Sequence, residues 1–245
     1  MKKKLIKVRL YVDIDLSTHS IIELSSKQVK YLFDVMRLDL GDQIFLIDGK
    51  TGEYVGEISK RNKNNATLVT VRKIRDMIFP PDLWLFFSPL KKTCTDLIIE
   101  KATELGVRRI CPIITRRTNS RNFRIDRMRS IMIQALEQCG GTFLPTIEEP
   151  IMFEKLILGW SADRHLIFCD ETKRNKSIYE VLCERGNESS AILVGPEGGF
   201  SPDEAKVLTE LQNSSNVSLG PRILRAETAV ISAISIWQSM RGDWG

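Results

Sequence analysis

From residue 83 onward, short apolar runs alternate strictly with amphipathic segments. This alternation limits the fold more than any other property of the chain. "LWLFFS", "RRICPIIT", "HLIFCD", "AILVG" and "NVSLG" read as strands. "TDLIIEKATELG", residues 124–139, "SIYEVLCER", "SPDEAKVLTEL" and residues 226–240 carry helical spacing. In 124–139, for example, Met128, Ile131, Met132, Ala135 and Cys139 share one face. The clearest helix start is at Ser201, an N-cap followed by Pro202 at the first helical position and Glu204 to close a capping box. Five successive strand–helix units dictate a parallel sheet covered by helices, an α/β domain predicted over residues 81–245.

The preceding residues follow a different period. Val8, Leu10 and Val12 alternate with Lys7, Arg9 and Tyr11, and "QIFLID", "EYVGEIS" and "ATLVTVRKI" are further short strands separated by turn residues. One helix interrupts them, with Ser26 as its cap and Val29, Leu32, Phe33 and Met36 on its apolar face. This pattern predicts a small β-barrel over residues 1–74. Pro80 and Pro81 mark the boundary, because neither element continues through them.

Composition excludes several classes. No run approaches the roughly 18 apolar residues of a membrane span, and Lys7 and Arg9 break up any signal-peptide core. The five cysteines form no C-x-x-C pair and read as reduced, buried residues of a cytoplasmic protein. With only His19 and His165 besides, no metal site is expected. The net charge of +5 is concentrated. Residues 108–129 hold eight arginines against Asp126 alone, which points to a polyanion such as RNA. Arg116, Arg117 and Arg121 are the candidate RNA contacts; a solvated helix face plus a loop is the plainer alternative.

Two loops carry the strongest chemical signal. "GPEGG" follows the strand "AILV", and "GPRILRAET" follows "NVSL" about twenty residues later. In an open parallel sheet, ligands bind beyond the carboxyl ends of the strands, where both loops lie. Consecutive glycines allow close backbone approach. Neither a P-loop nor G-x-G-x-x-G is present, which argues against ATP and dinucleotide sites. The loops fit a ligand read by backbone amides and lined by Leu219, Ile223 and Leu224.

"LVGPEGGFSPDEA" and "LGPRILRAETA" resemble the two signature motifs of the RsmE-type methyltransferases of the SPOUT, or α/β-knot, class. "KQVKYLFDVMRLDLGDQIFLIDG", "EKATELGV" and "ALEQCG" are similar to other stretches of that family. The resemblance implies a PUA-like barrel joined to a sheet domain with a C-terminal trefoil knot, working as a homodimer. It implies S-adenosylmethionine-dependent methylation of N3 of one uridine in small-subunit ribosomal RNA, free or in the assembled subunit. By position, it assigns the cofactor to Gly195, Pro196, Glu197, Gly198, Gly199, Leu219, Gly220, Ile223, Leu224 and Thr228, with a third wall near Asp170 and Glu171. Two departures stand out. Relatives tend to have Gly and an acidic residue where this chain reads "KKTCTD", and arginines where it has Gly141 and Phe143.

The uridine N3 proton must leave as the methyl arrives, and charge then spreads over the uracil oxygens. Arg225 is placed to stabilise that charge and Glu227 to take the proton; a structural ion pair between them is the alternative. In the last helix, Val230, Ile231, Ala233, Ile234, Ile236 and Trp237 cover more than one face, consistent with a dimer. The competing functions are a related enzyme acting on tRNA and a non-catalytic ribosome-assembly protein.

Overall fold

The computed structural model describes residues 5–62, 65–120, 123–170, 175–186 and 189–245, with backbone only at Leu5 and Ile6. Two compact units emerge, one of residues 1–79 with 136–144, the other of residues 80–135 with 145–245. The excursion of 136–144 into the first unit is something a single linear boundary cannot express.

In the first unit, β1 (Leu5–Tyr11), β2 (Ile21–Glu23), α1 (Ser26–Lys30), β3 (Gln43–Ile47), β4 (Gly52–Arg61) and β5 (Ala66–Asp76) follow in chain order. The sheet runs β1-β3-β4-β5-β2, with β1 and β3 parallel and the other pairs antiparallel. Leu32, Ile44, Leu46, Ile58 and Leu68 form its dry centre. Ser25, not Ser26, caps α1. Its side chain accepts from the Gln28 backbone while the Gln28 side chain accepts from the Ser25 backbone, a reciprocal box that needs the acceptor three residues on. A π-helical turn, Tyr31–Val35, continues α1 and buries Leu32 and Phe33. Buried Glu53 bridges Arg9 and Arg75, and Arg75 also donates to the Gly140 carbonyl, which ties the excursion into this unit.

The second unit contains β6 (Leu83–Phe87), α2 (Lys92–Glu104), β7 (Arg109–Ile114), α3 (Ile125–Cys139, whose end joins the first unit), β8 (Thr146–Ile147), β9 (Ile151–Met152), α4 (Phe153–Leu158), β10 (His165–Cys169), α5 (Ile178–Glu184), β11 (Ser190–Val194), α6 (Pro202–Glu210), β12 (Ser214–Val217) and α7 (Ala226–Arg241). The strand order is β12-β10-β11-β6-β7-β8, every pair is parallel, and β9 pairs with β7. Every residue of β11 is buried, as a central parallel strand covered on both faces requires.

α2 starts at Lys92, before the expected Thr95, and has no side-chain cap. Thr95 instead exchanges two hydrogen bonds with the Leu90 backbone. The helix buries Thr95, Ile98, Ile99, Ala102 and Thr103, one stripe at helical spacing, and ends where Gly106 takes φ +74°. In α7, Val230, Ala233, Ile234 and Trp237 are buried, while Ile231 and Ile236 are half-buried. The expectation of five buried cysteines holds only at Cys111; Cys94 and Cys169 are half-buried, and Cys139 and Cys183 are exposed. Cys183 points away from the buried Ile178–Val181–Leu182 face of α5, and Cys139 is the last residue of α3. Among the described residues, no helix is long and apolar enough to cross a membrane.

Candidate functional site

The carboxyl ends of β10, β11 and β12 lie side by side and frame a cavity of about 330 Å³. β10 contributes Phe168, Cys169 and Asp170. The loop after β11 contributes Gly195, Pro196, Glu197 and Gly199, and the loop after β12 contributes Leu219, Gly220, Ile223, Leu224 and Arg225. Sequence reasoning missed Cys169, Phe200 and Arg222, which also line it. Phe200 follows the glycines directly and meets the Phe168 ring edge-on, with centroids 5.0 Å apart.

Three of the expected residues are elsewhere. Gly198 does not line the cavity; its carbonyl faces the Arg117 side chain instead. Thr228 is exposed on the first turn of α7 and Glu227 is half-buried, and neither lines the cavity. Glu171 and Arg121 lie outside the described residues.

The glycines act in different ways. A Cβ on Gly195 would lie 2.6 Å from the Phe200 ring, so Gly195 makes room for an aromatic wall. Gly220 has φ +107° and open space where a Cβ would stand. Ile223 is 72% exposed, an apolar side chain at the cavity with little of its own chain against it. Small backbone-lined walls plus exposed apolar side chains suit a flat, partly polar ligand such as a nucleoside.

Two helix starts abut the cavity. α6 begins with the full capping box: Ser201 accepts from Glu204 N–H and Glu204 accepts from Ser201 N–H. α7 begins after Arg225, which makes no side-chain cap, and Ala226 and Ala229 of its first turn line the cavity. Its free N–H groups place positive potential there. Among the described residues, Arg225 and Glu227 form no ion pair with each other. Glu227 Oε1 instead accepts from the Cys94 thiol of α2 at 3.7 Å. Burial pushes the Cys169 thiol up to about 12, which favours the neutral thiol beside the cavity.

The arginine-rich run is not one uniform face. Arg108 donates to the Pro80 carbonyl, Arg109 pairs with Glu148 and stacks on Trp84, and Arg127 pairs with Asp96. Arg116 pairs with Asp203 at 2.5 Å, in an exposed setting where such a pair adds little stability. Several of these charges therefore serve the fold.

Comparison with known proteins identifies the family. A family model described as an RNA methyltransferase domain matches residues 79–238, and one described as an RNA methyltransferase PUA domain matches residues 24–71. The chain is 34% identical to the ribosomal RNA small subunit methyltransferase E of Rickettsia conorii, over 93% of each chain. It is 30% identical to the Aquifex aeolicus protein of the same name, over 89% of this chain and 93% of that one. The Neisseria gonorrhoeae ribosomal RNA small subunit methyltransferase E, solved bound to S-adenosyl methionine, superposes with a TM-score of 0.87 at 27% identity, covering 98% of this chain and all of that one. A Legionella pneumophila protein solved with bound SAM gives 0.86 at 26% identity, covering 97% and 99%. With both domains matched in order and nearly the whole length covered, this chain belongs to the ribosomal RNA small subunit methyltransferase E family.

Proposed function

We propose that the protein uses S-adenosylmethionine to methylate N3 of one uridine in small-subunit ribosomal RNA. The observation that carries this reading is the cavity formed by the two glycine–proline loops, with Arg225 on its wall. Its features fit the cofactor: the open space beside Gly220 admits a ligand, and exposed Ile223 with half-buried Leu224 offers an apolar surface to adenine. Asp170 and Glu197 provide carboxylates for hydroxyl or ammonium groups.

When bound, the cofactor supplies a methyl group already activated on a sulfonium. The protein's task is alignment and charge management. Arg225, at the start of α7, presents a guanidinium to the uracil oxygens as they become anionic, supported by the helix amino end. Glu227, two residues on, lies outside the cavity lining with its carboxylate accepting from Cys94, and has to turn toward the cavity to take the N3 proton.

A homodimer belongs to this proposal, with half-buried Ile231 and Ile236 of α7 as the residues a second copy would cover. So do the C-terminal trefoil knot and a cytoplasmic location, where ribosomal RNA is made. Mass mapping of small-subunit RNA from cells lacking the protein, then complemented, is the direct test. A full complement of methylated uridine in the deletion strain would overturn the assignment. Calorimetric titration with S-adenosylmethionine tests the cofactor independently.

A further inference from the structure

The turn after β7 holds the cofactor loop from outside. Arg117 Nη1 donates to the Gly198 carbonyl at 2.6 Å, and Arg116 N–H donates to Glu204 Oε1 at 2.9 Å. Gly198 is in the middle of the loop between β11 and α6, and Glu204 is in the first turn of α6. One short turn thus grips that segment at two points. Glu204 is only 3% exposed and also accepts from Ser201 N–H, so its carboxylate is fully committed.

The turn itself is internally hydrogen-bonded. Thr118 N–H donates to the Thr115 carbonyl, Thr115 N–H donates to Thr118 Oγ1, and Thr118 Oγ1 lies 2.6 Å from Ser88 Oγ at the end of β6. Thr115 and Thr118 are buried, while Arg116 and Arg117 between them are exposed. Two fixed hydroxyls therefore hold two outward arginines in place.

The arginines differ in what they touch. The Arg116 guanidinium faces the Asp203 carboxylate, which would compete with any incoming anion. Arg117 bonds a neutral carbonyl. Among the described residues no carboxylate pairs with it, and a guanidinium has five N–H donors in a planar fork that matches a phosphate. Building on the methyltransferase reading, we propose that Arg117 is a positioning residue that couples the two ligands: one donor holds the cofactor loop at Gly198 while the others take a phosphate of the substrate RNA. A phosphate that fixes the Arg117 side chain also fixes the loop, so RNA binding tightens cofactor binding, and by linkage the cofactor tightens RNA binding.

The test uses S-adenosylhomocysteine, which binds without turnover, titrated into wild type, Arg117→Ala and Arg117→Lys. Each is measured alone and with small ribosomal subunits from cells lacking the enzyme. Arg117→Ala weakens binding to the free enzyme about threefold through loss of one exposed hydrogen bond. Subunits tighten wild-type binding by about fivefold or more, and that gain vanishes in Arg117→Ala. Arg117→Lys, which keeps the charge without the fork, recovers part of it. A purely structural role would lower the melting temperature and leave the coupling intact. Equal coupling in wild type and Arg117→Ala, or no coupling in wild type, overturns the proposal. Failure of wild type to methylate the subunits sinks the functional reading and the RNA half of this one. The free-enzyme titration still decides whether Arg117 positions the loop.

Discussion

The Cys94 thiol, on the first turn of α2, lies 3.7 Å from Oε1 of Glu227, on the first turn of α7, although 133 residues separate them. Glu227 is thereby held by a weak donor rather than by Arg225. If Glu227 takes the N3 proton, Glu227→Gln slows single-turnover methyl transfer, and the defect shrinks as pH rises because uridine then ionises unaided. Cys94→Ala removes only the weak donor and costs about twofold in rate. A Glu227→Gln defect that is constant across pH would assign the carboxylate to structure.

Arg225 differs in lining the cavity itself. Arg225→Ala is expected to lower the methylation rate on small subunits by about a hundredfold to a thousandfold, the usual cost of one preorganised donor. The affinity for S-adenosylmethionine should change far less, since the contact strengthens as charge develops on the uracil. Rate and affinity falling together would make Arg225 a cofactor ligand.

What the sequence made legible is local. The capping box at Ser201 and Glu204, the glycine–proline loops and the alternation of strands and helices are each set within a few residues, and each appears in the structure, although α2 starts before Thr95, β12 covers Ser214–Val217 rather than 216–220, and α4 was not expected. β8 and β9 escaped notice because two-residue strands cannot express a period. The Arg116–Glu204 and Cys94–Glu227 contacts escaped because they join residues 88 and 133 positions apart. Gly198 looked equivalent to its neighbours in "GPEGG". Only the loop's curvature turns it toward Arg117 while Gly195 and Gly199 meet the cavity.

That difference predicts unequal glycine substitutions. At Gly198 a Cβ would make ordinary contact with Arg117, 3.5 Å away, and the backbone is not left-handed. Gly198→Ala should therefore keep both fold and cofactor binding. Gly220→Ala forces a side chain into φ +107°, a strain of about 1–3 kcal/mol, and places a methyl where the cavity is open. Calorimetry should show S-adenosylmethionine binding lost in Gly220→Ala alone. Equal losses at both positions would mean that the loop, not the cavity wall, sets affinity.

The last prediction concerns acid stability. His165 opens β10, is buried, and lies with Nε2 2.9 Å from Ser215 Oγ. Burial, with Arg185 adding repulsion, lowers its pKa from 6.5 to about 4. Below about pH 6.5 the unfolded chain binds a proton at this ring that the folded protein refuses until about pH 4. Stability therefore falls as pH drops through that window, and the loss levels off below it, at about 3 kcal/mol for a shift of this size. All four tryptophans lie beyond residue 80, so their fluorescence reports the second unit alone. Urea unfolding followed by tryptophan emission between pH 4 and 7 should lose stability more steeply in wild type than in His165→Leu, which cannot titrate. Parallel pH profiles for the two proteins would show that this histidine is not the acid-sensitive group.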